Sequence, residues 1–208
     1  MSLPTALRAS AWLSVSLVLG MIAIFVTTGV GQDPLQFVHP PDEYARLLLR
    51  DPAALRATLG LDDLFLILYS TVFVLLAILV PGPLVRIGVG LLVVVGLLDL
   101  VENAHFLAML AGAEAADPPG AVEIRVQVVE SLVKFHVSYL GLALLGLGLP
   151  RERPSERVLA FLSVFVQLPV GVLIYVTPHD VAVPLVFVRF TYFVVALALV
   201  GWAFARSR

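Results

Sequence analysis

Five ionisable side chains, Asp99, Glu102, Glu130, Lys134 and Arg189, stand inside long apolar runs of this chain. At the centre of a membrane-spanning helix such a group costs about 2.5–3.5 kcal/mol, so it needs a partner, water or a task. In Leu98-Asp99-Leu100-Val101-Glu102-Asn103 the polar residues fall at steps of three and four. On a helix that places Asp99, Glu102 and Asn103 within about 100° of one another. A second stripe, Glu123, Gln127, Glu130, Lys134 and Ser138, follows the same steps and is continued by Gly141. Glu130 precedes Lys134 by four residues, the favourable order for an ion pair within one helix. The two faces lie on consecutive runs joined by a short loop, so Lys134 is predicted to reach Asp99 or Glu102.

The chemistry these residues suggest is proton transfer. Three deep carboxylates, Asp99, Glu102 and Glu130, face two deep cations, Lys134 and Arg189. If they share a cavity, one acid is left without a cation and is expected to keep a proton near neutral pH. Asp99, Glu102, Glu130 and Lys134 are therefore the candidate acid–base residues, with Lys134 and Arg189 placed to steady an anion. Asn103, Gln127, Arg189, Tyr192 and Tyr69 are the candidate substrate-binding residues. The same set also admits a structural reading, because buried ion pairs fix helix register and polar side chains join membrane helices.

Other chemistries find less support. Glu102-Asn103-Ala104-His105 has the Glu-x-x-His spacing of di-iron bundles, but no second copy exists. His136 falls opposite the Glu130 and Lys134 stripe, while His39 and His179 belong to the outer surface. No metal site is expected, and His105 reads as a hydrogen-bonded helix residue. Without cysteine there is no thiolate nucleophile, disulfide or Cys-ligated metal. No G-x-S-x-G, H-E-x-x-H or P-loop occurs, and nothing names a cofactor. Lys134 could form a Schiff base, but Glu130 four residues before it favours a charged ammonium. Gly88, Gly90 and Gly96 follow no strand and read as packing glycines.

The elements that must position these residues are membrane helices. With 60% hydrophobic residues, 13% charged residues and a mean hydropathy of +1.02, the chain lies far outside the soluble range. Spans are expected at about 9–30, 62–80, 84–112, 121–149, 157–177 and 182–205, within one membrane domain covering 1–208. The class is all-α: a polytopic integral membrane bundle of about six helices with a short amphipathic cap on the outer side. The run after Arg8 is too long for a signal-peptide core and is read as a retained span. The cap, 32–61, turns at His39-Pro40-Pro41 and continues as one or two short helices. Asp42 is expected to cap the first and Asp51-Pro52 to start the second. Leu47, Leu48, Leu49, Leu55 and Leu59 give the cap an apolar face, to pack as a connector or to gate a cavity.

Arginine sets the orientation. Arg8, Arg86, Arg151, Arg153, Arg157, Arg206 and Arg208 fall on one side, which the positive-inside rule makes cytoplasmic, with both termini. The loops holding Glu114, Asp117, His179 and Asp180 carry no Lys or Arg and are expected outside. Arg46, Arg50, Arg56 and Arg125 are contrary votes, offset by neighbouring acids. In this frame the two stripes match in depth. Asp62, Asp63, Gln167 and Tyr175 join them at or above the midplane, whereas the inner half is nearly pure Leu, Val, Gly and Ala.

A net charge of −2 with scattered basic residues sets nucleic-acid binding aside. The partners expected are the lipid bilayer and a lipophilic small molecule, in a bacterial inner membrane. Three functions remain open: an outer pocket that binds or transforms a small or lipid-derived molecule by acid–base chemistry, a non-catalytic subunit or assembly factor of a larger membrane complex, and a small proton-coupled transporter. The transporter is disfavoured by the apolar inner half, and no internal repeat suggests one.

Overall fold

In the computed structural model residues 2–203 are described, except for the side chains of His179 and Asp180. Arg206 and Arg208, which entered the orientation argument, lie outside the described residues. The protein is all-α, with α1 (Leu3–Thr28), α2 (Pro41–Leu48), α3 (Pro52–Leu79), α4 (Pro83–Glu114), α5 (Ala121–Gly148), α6 (Pro154–Phe161), α7 (Gln167–Val176) and α8 (His179–Ala203). A 3-10 turn, Asp33–Gln36, precedes α2, and a π turn, Leu162–Val166, joins α6 to α7. Six stretches are long and apolar enough to cross a membrane: α1, α3, α4, α5, the continuous segment Pro154–Val176, and Val181–Ala203 within α8.

The chain forms two compact units. One contains residues 17–66 and 97–134; the other contains 1–16, 67–96 and 135–208. Thus α1, α3, α4 and α5 each give one part to each unit, while α2 belongs wholly to the first and α6 to α8 wholly to the second.

In the first unit the cap is a packed connector. Leu35, Tyr44, Leu48, Leu55 and Leu59 are buried against Phe106, Met109, Leu110 and Ile124 of α4 and α5, and Leu49 is left exposed. Two expectations about this region need correction. Asp42 does not cap α2: the helix starts at Pro41, whose fixed φ suits the first helical position, and Asp42 falls inside the first turn. Nor does Asp51-Pro52 open a separate short helix. Asp51 Oδ1 accepts from the Ala54 amide at 3.0 Å, and the helix it caps runs unbroken to Leu79. Gly60 alone, at about 1 kcal/mol relative to Ala, is too weak a breaker.

The loop between α1 and α2 is anchored by arginine. Gly29 ends α1 in the left-handed region at φ 69°, its amide bonding the Phe25 carbonyl at 2.7 Å. Arg50 donates to the Gly29 carbonyl at 3.1 Å, completing a helix C-terminus that favours a cation. Arg56 pairs with Glu114 at 2.5 Å.

The second unit is built on close helix contact. A Cβ on Gly88 would lie 2.7 Å from the Gly141 carbonyl oxygen, so α4 and α5 meet backbone to backbone there. Gly90 faces open space, contrary to the packing role expected of it. The π turn has a local cause: Pro169 has no amide hydrogen and its ring crowds the carbonyl one turn earlier, so the preceding turn widens.

Candidate functional site

The first unit gathers most of the polar residues picked out by spacing. The Lys134 ammonium on α5 lies 2.7 Å from Asp99 Oδ1 and also bonds Glu102 Oε2, both on α4. The Ser131 hydroxyl, one turn before Lys134, donates to the other Glu102 oxygen. Gln127 Nε2 donates to Ser131 Oγ at 2.8 Å, and the Tyr44 hydroxyl lies 3.0 Å from both Gln127 Oε1 and the Leu35 carbonyl. A continuous chain of polar contacts therefore runs from the cap through Gln127, Ser131, Glu102 and Lys134 to Asp99. Glu102, Asn103, Gln127 and Ser131 are fully buried, and Lys134 nearly so.

A second branch starts beside the first. Asn103 Nδ2 donates to Asp62 Oδ2 and to Asp63 Oδ1, each at 2.9 Å, tying α4 to α3. Gln32, in the loop after α1, donates to Asp62 Oδ2 and Asn103 Oδ1 at 3.2 Å. Asp62 lies within the fields of both Asp99 and Lys134, so the branches are electrostatically one cluster. Among the described residues, no buried side-chain N or O atom of this cluster lacks a hydrogen-bond partner. Tyr44, on α2, which at eight residues is too short to cross a membrane, has its hydroxyl pKa pushed up, first by burial and then by the charges of Glu102 and Glu123. It therefore stays a neutral donor.

Glu130 departs from expectation. Its Oε2 lies 2.7 Å from His105 Nδ1, and Glu123 is 3.8 Å from the other ring nitrogen, so Glu130 pairs with His105 rather than Lys134. Two acids on the neighbouring helix outcompete the intrahelical partner, because a single i, i+4 pair is worth only about 0.2–0.5 kcal/mol. His105 is the hydrogen-bonded helix residue it was read to be. Its side chain and that of Glu102 go to different partners, so the Glu-x-x-His spacing does not converge. Among the described residues no three His, Asp or Glu side chains are arranged to hold a metal ion.

Arg189, Tyr192 and Tyr69 belong to the other compact unit. There the Arg189 guanidinium lies 4.0 Å above the Phe135 ring, a cation–π contact. Phe135 stacks on Tyr139, and the Tyr139 ring lies against Gly171. Tyr192 bonds Ser163 at 2.9 Å beside the π turn, and Tyr69 meets Phe73 edge to face. Both amide atoms of the buried Gln167 are without a hydrogen-bond partner. His136 is exposed between Tyr139 and Tyr175.

Spacing alone missed Ser131, Tyr44 and Gln32 as members of the cluster, and put Asp62 and Asp63 at the level of the stripes without assigning them a role. Ser131 was findable: it lies about 40° from Gln127 on the wheel, whereas Glu130 lies about 60° to the other side. No family model matches the chain, and comparison with characterised proteins and with solved structures gives no significant match.

Proposed function

We propose that this multi-pass membrane protein uses the Asp62, Asp63, Asp99, Glu102 and Lys134 cluster as a proton-exchanging acid–base site for a small or lipid-derived molecule. The observation that carries the reading is the charge count: Asp99 and Glu102 bond the single ammonium, and the buried Asp62, within its field, is tied through Asn103 to the half-buried Asp63, so four carboxylates surround one cation. A pair that merely fixes register needs one acid for one base. A surplus of buried negative charge is costly at low dielectric, so in this reading the cluster relieves it by retaining a proton. A proton retained by the cluster is within reach of exchange, and Lys134 would steady an anion formed beside it.

In this reading the membrane is the bacterial inner membrane, the cluster lies in the outer half, and both termini are cytoplasmic. The engagement of Arg50 and Arg56 in local structure supports that orientation, since both have positions set by partners rather than by loop topology. A second reading is favoured by a specific observation, the complete internal pairing of the cluster: a structural network in a subunit or assembly factor.

The near-isosteric variants Asp99→Asn and Glu102→Gln separate the two. Membranes carrying each variant would be compared with wild type by mass spectrometry of lipids and small molecules, alongside thermal unfolding of the purified proteins. The acid–base reading expects a molecular species to accumulate or vanish while folding is retained. Profiles identical to wild type from folded variants would leave the structural reading.

A further inference from the structure

On the first unit, α4 and α5 form a groove of about 430 Å³ lined by Leu98 and by Val122, Val126, Val129 and Val133, with Arg125 and Glu130 as its charged residues. The four valines form one face of α5 and are exposed, in a helix long and apolar enough to cross a membrane. From Arg125 to Val133 the wall is about 12 Å long at 1.5 Å per residue, within the depth of one leaflet of a roughly 30 Å core. Its occupant is expected to be a chain, not a ring.

Arg125 supplies the polar end. Among the described residues none makes a hydrogen bond or ion pair with its side chain, unlike Arg50 and Arg56 of the same unit. Glu123, the acid beside it in sequence, faces His105, and so does Glu130, about 7 Å farther along the groove wall. Arg125 is only about 6 Å from the start of α5, at headgroup level, and a guanidinium there matches a phosphate in both geometry and charge.

We propose that this groove seats an acyl chain of an anionic phospholipid whose headgroup phosphate is held by Arg125. The site is independent of the acid cluster, none of whose members lines the groove. Native mass spectrometry of the full-length protein in neutral detergent, titrated with phosphatidylglycerol and with phosphatidylcholine, tests it. Wild type should bind phosphatidylglycerol more tightly. Arg125→Gln should weaken that binding by roughly ten-fold or more, as expected for loss of a charged hydrogen bond. Arg125→Lys should keep most of the preference, and Val129→Trp should block both lipids by filling the groove. Arg86→Gln, exposed on α4 outside the groove, should change nothing. All positions are exposed, so melting temperatures should stay within a few degrees and report folding independently. Equal affinity of wild type for the two lipids, or wild-type phosphatidylglycerol binding by Arg125→Gln and Val129→Trp, would overturn the proposal.

Discussion

Lys134 is held by two acids on α4, so losing it is not the loss of one ion pair. Lys134→Met strands Glu102 and Asp99 together and should destabilise the protein by about 3–5 kcal/mol, the range for breaking a buried pair. Lys134→Met combined with Glu102→Met should recover part of that loss in detergent unfolding measurements, whereas His136→Leu, at an exposed site, should be nearly silent. An additive double mutant would mean the two side chains are not coupled. Tyr44 gives a pH signature. Its folded-state pKa lies above the ordinary tyrosine value of about 10, so the unfolded chain ionises first as pH rises. Its contribution is full below that value and is lost above it, and Tyr44→Phe should flatten this alkaline loss of stability. At this scale the spacing of Asp99, Glu102 and Lys134 told most of the story, because steps of three and four on two neighbouring helices leave few ways to bury the charges. Asp62 was less legible: it reaches the cluster through Asn103, a contact between helices that no periodicity in α3 announces.

Helix starts followed from prolines at the first helical position, as at Pro52 and Pro83. Pro169 was harder to read. A proline within a span can kink, break or widen a helix, and the sequence around Pro169 does not say which. Counting residues did not show which polar side chains come together: Arg189, Tyr192 and Tyr69 belong to the other compact unit. Glycine packing makes the element-scale prediction. Gly171 lies against the Tyr139 ring with no room for a Cβ, so Gly171→Ala must push α7 from α5 and should cost about 1–3 kcal/mol. Gly90→Ala, with nothing within 4 Å, should be neutral or slightly stabilising. Thermal unfolding of the two variants side by side checks the contrast, and equal effects would contradict the contact.

For the molecule as a whole, six spans and the distribution of arginine lead to a topology with testable ends. A reporter fused after Arg208 should report cytoplasm and one inserted near Ala116 should report the outer side; the reverse would carry the acid cluster to the cytoplasmic half. Composition made the membrane class legible from the start, because a polar surface large enough for solubility is absent from the sequence. The sequence already implied one acid in excess, but not which ones: Asp62 and Asp63 enter through Asn103, while Glu130 pairs with His105 and Arg189 belongs to the other unit. That surplus is the centre of the account, and infrared difference spectroscopy of the reconstituted protein at neutral pH tests it most directly. Comparing wild type with the triple variant Asp62→Asn, Asp99→Asn, Glu102→Gln should reveal, in wild type alone, the carbonyl stretch of a protonated carboxylic acid that shifts on exchange into heavy water. A difference spectrum containing only ionised carboxylate bands would contradict the proposal that the cluster holds a proton.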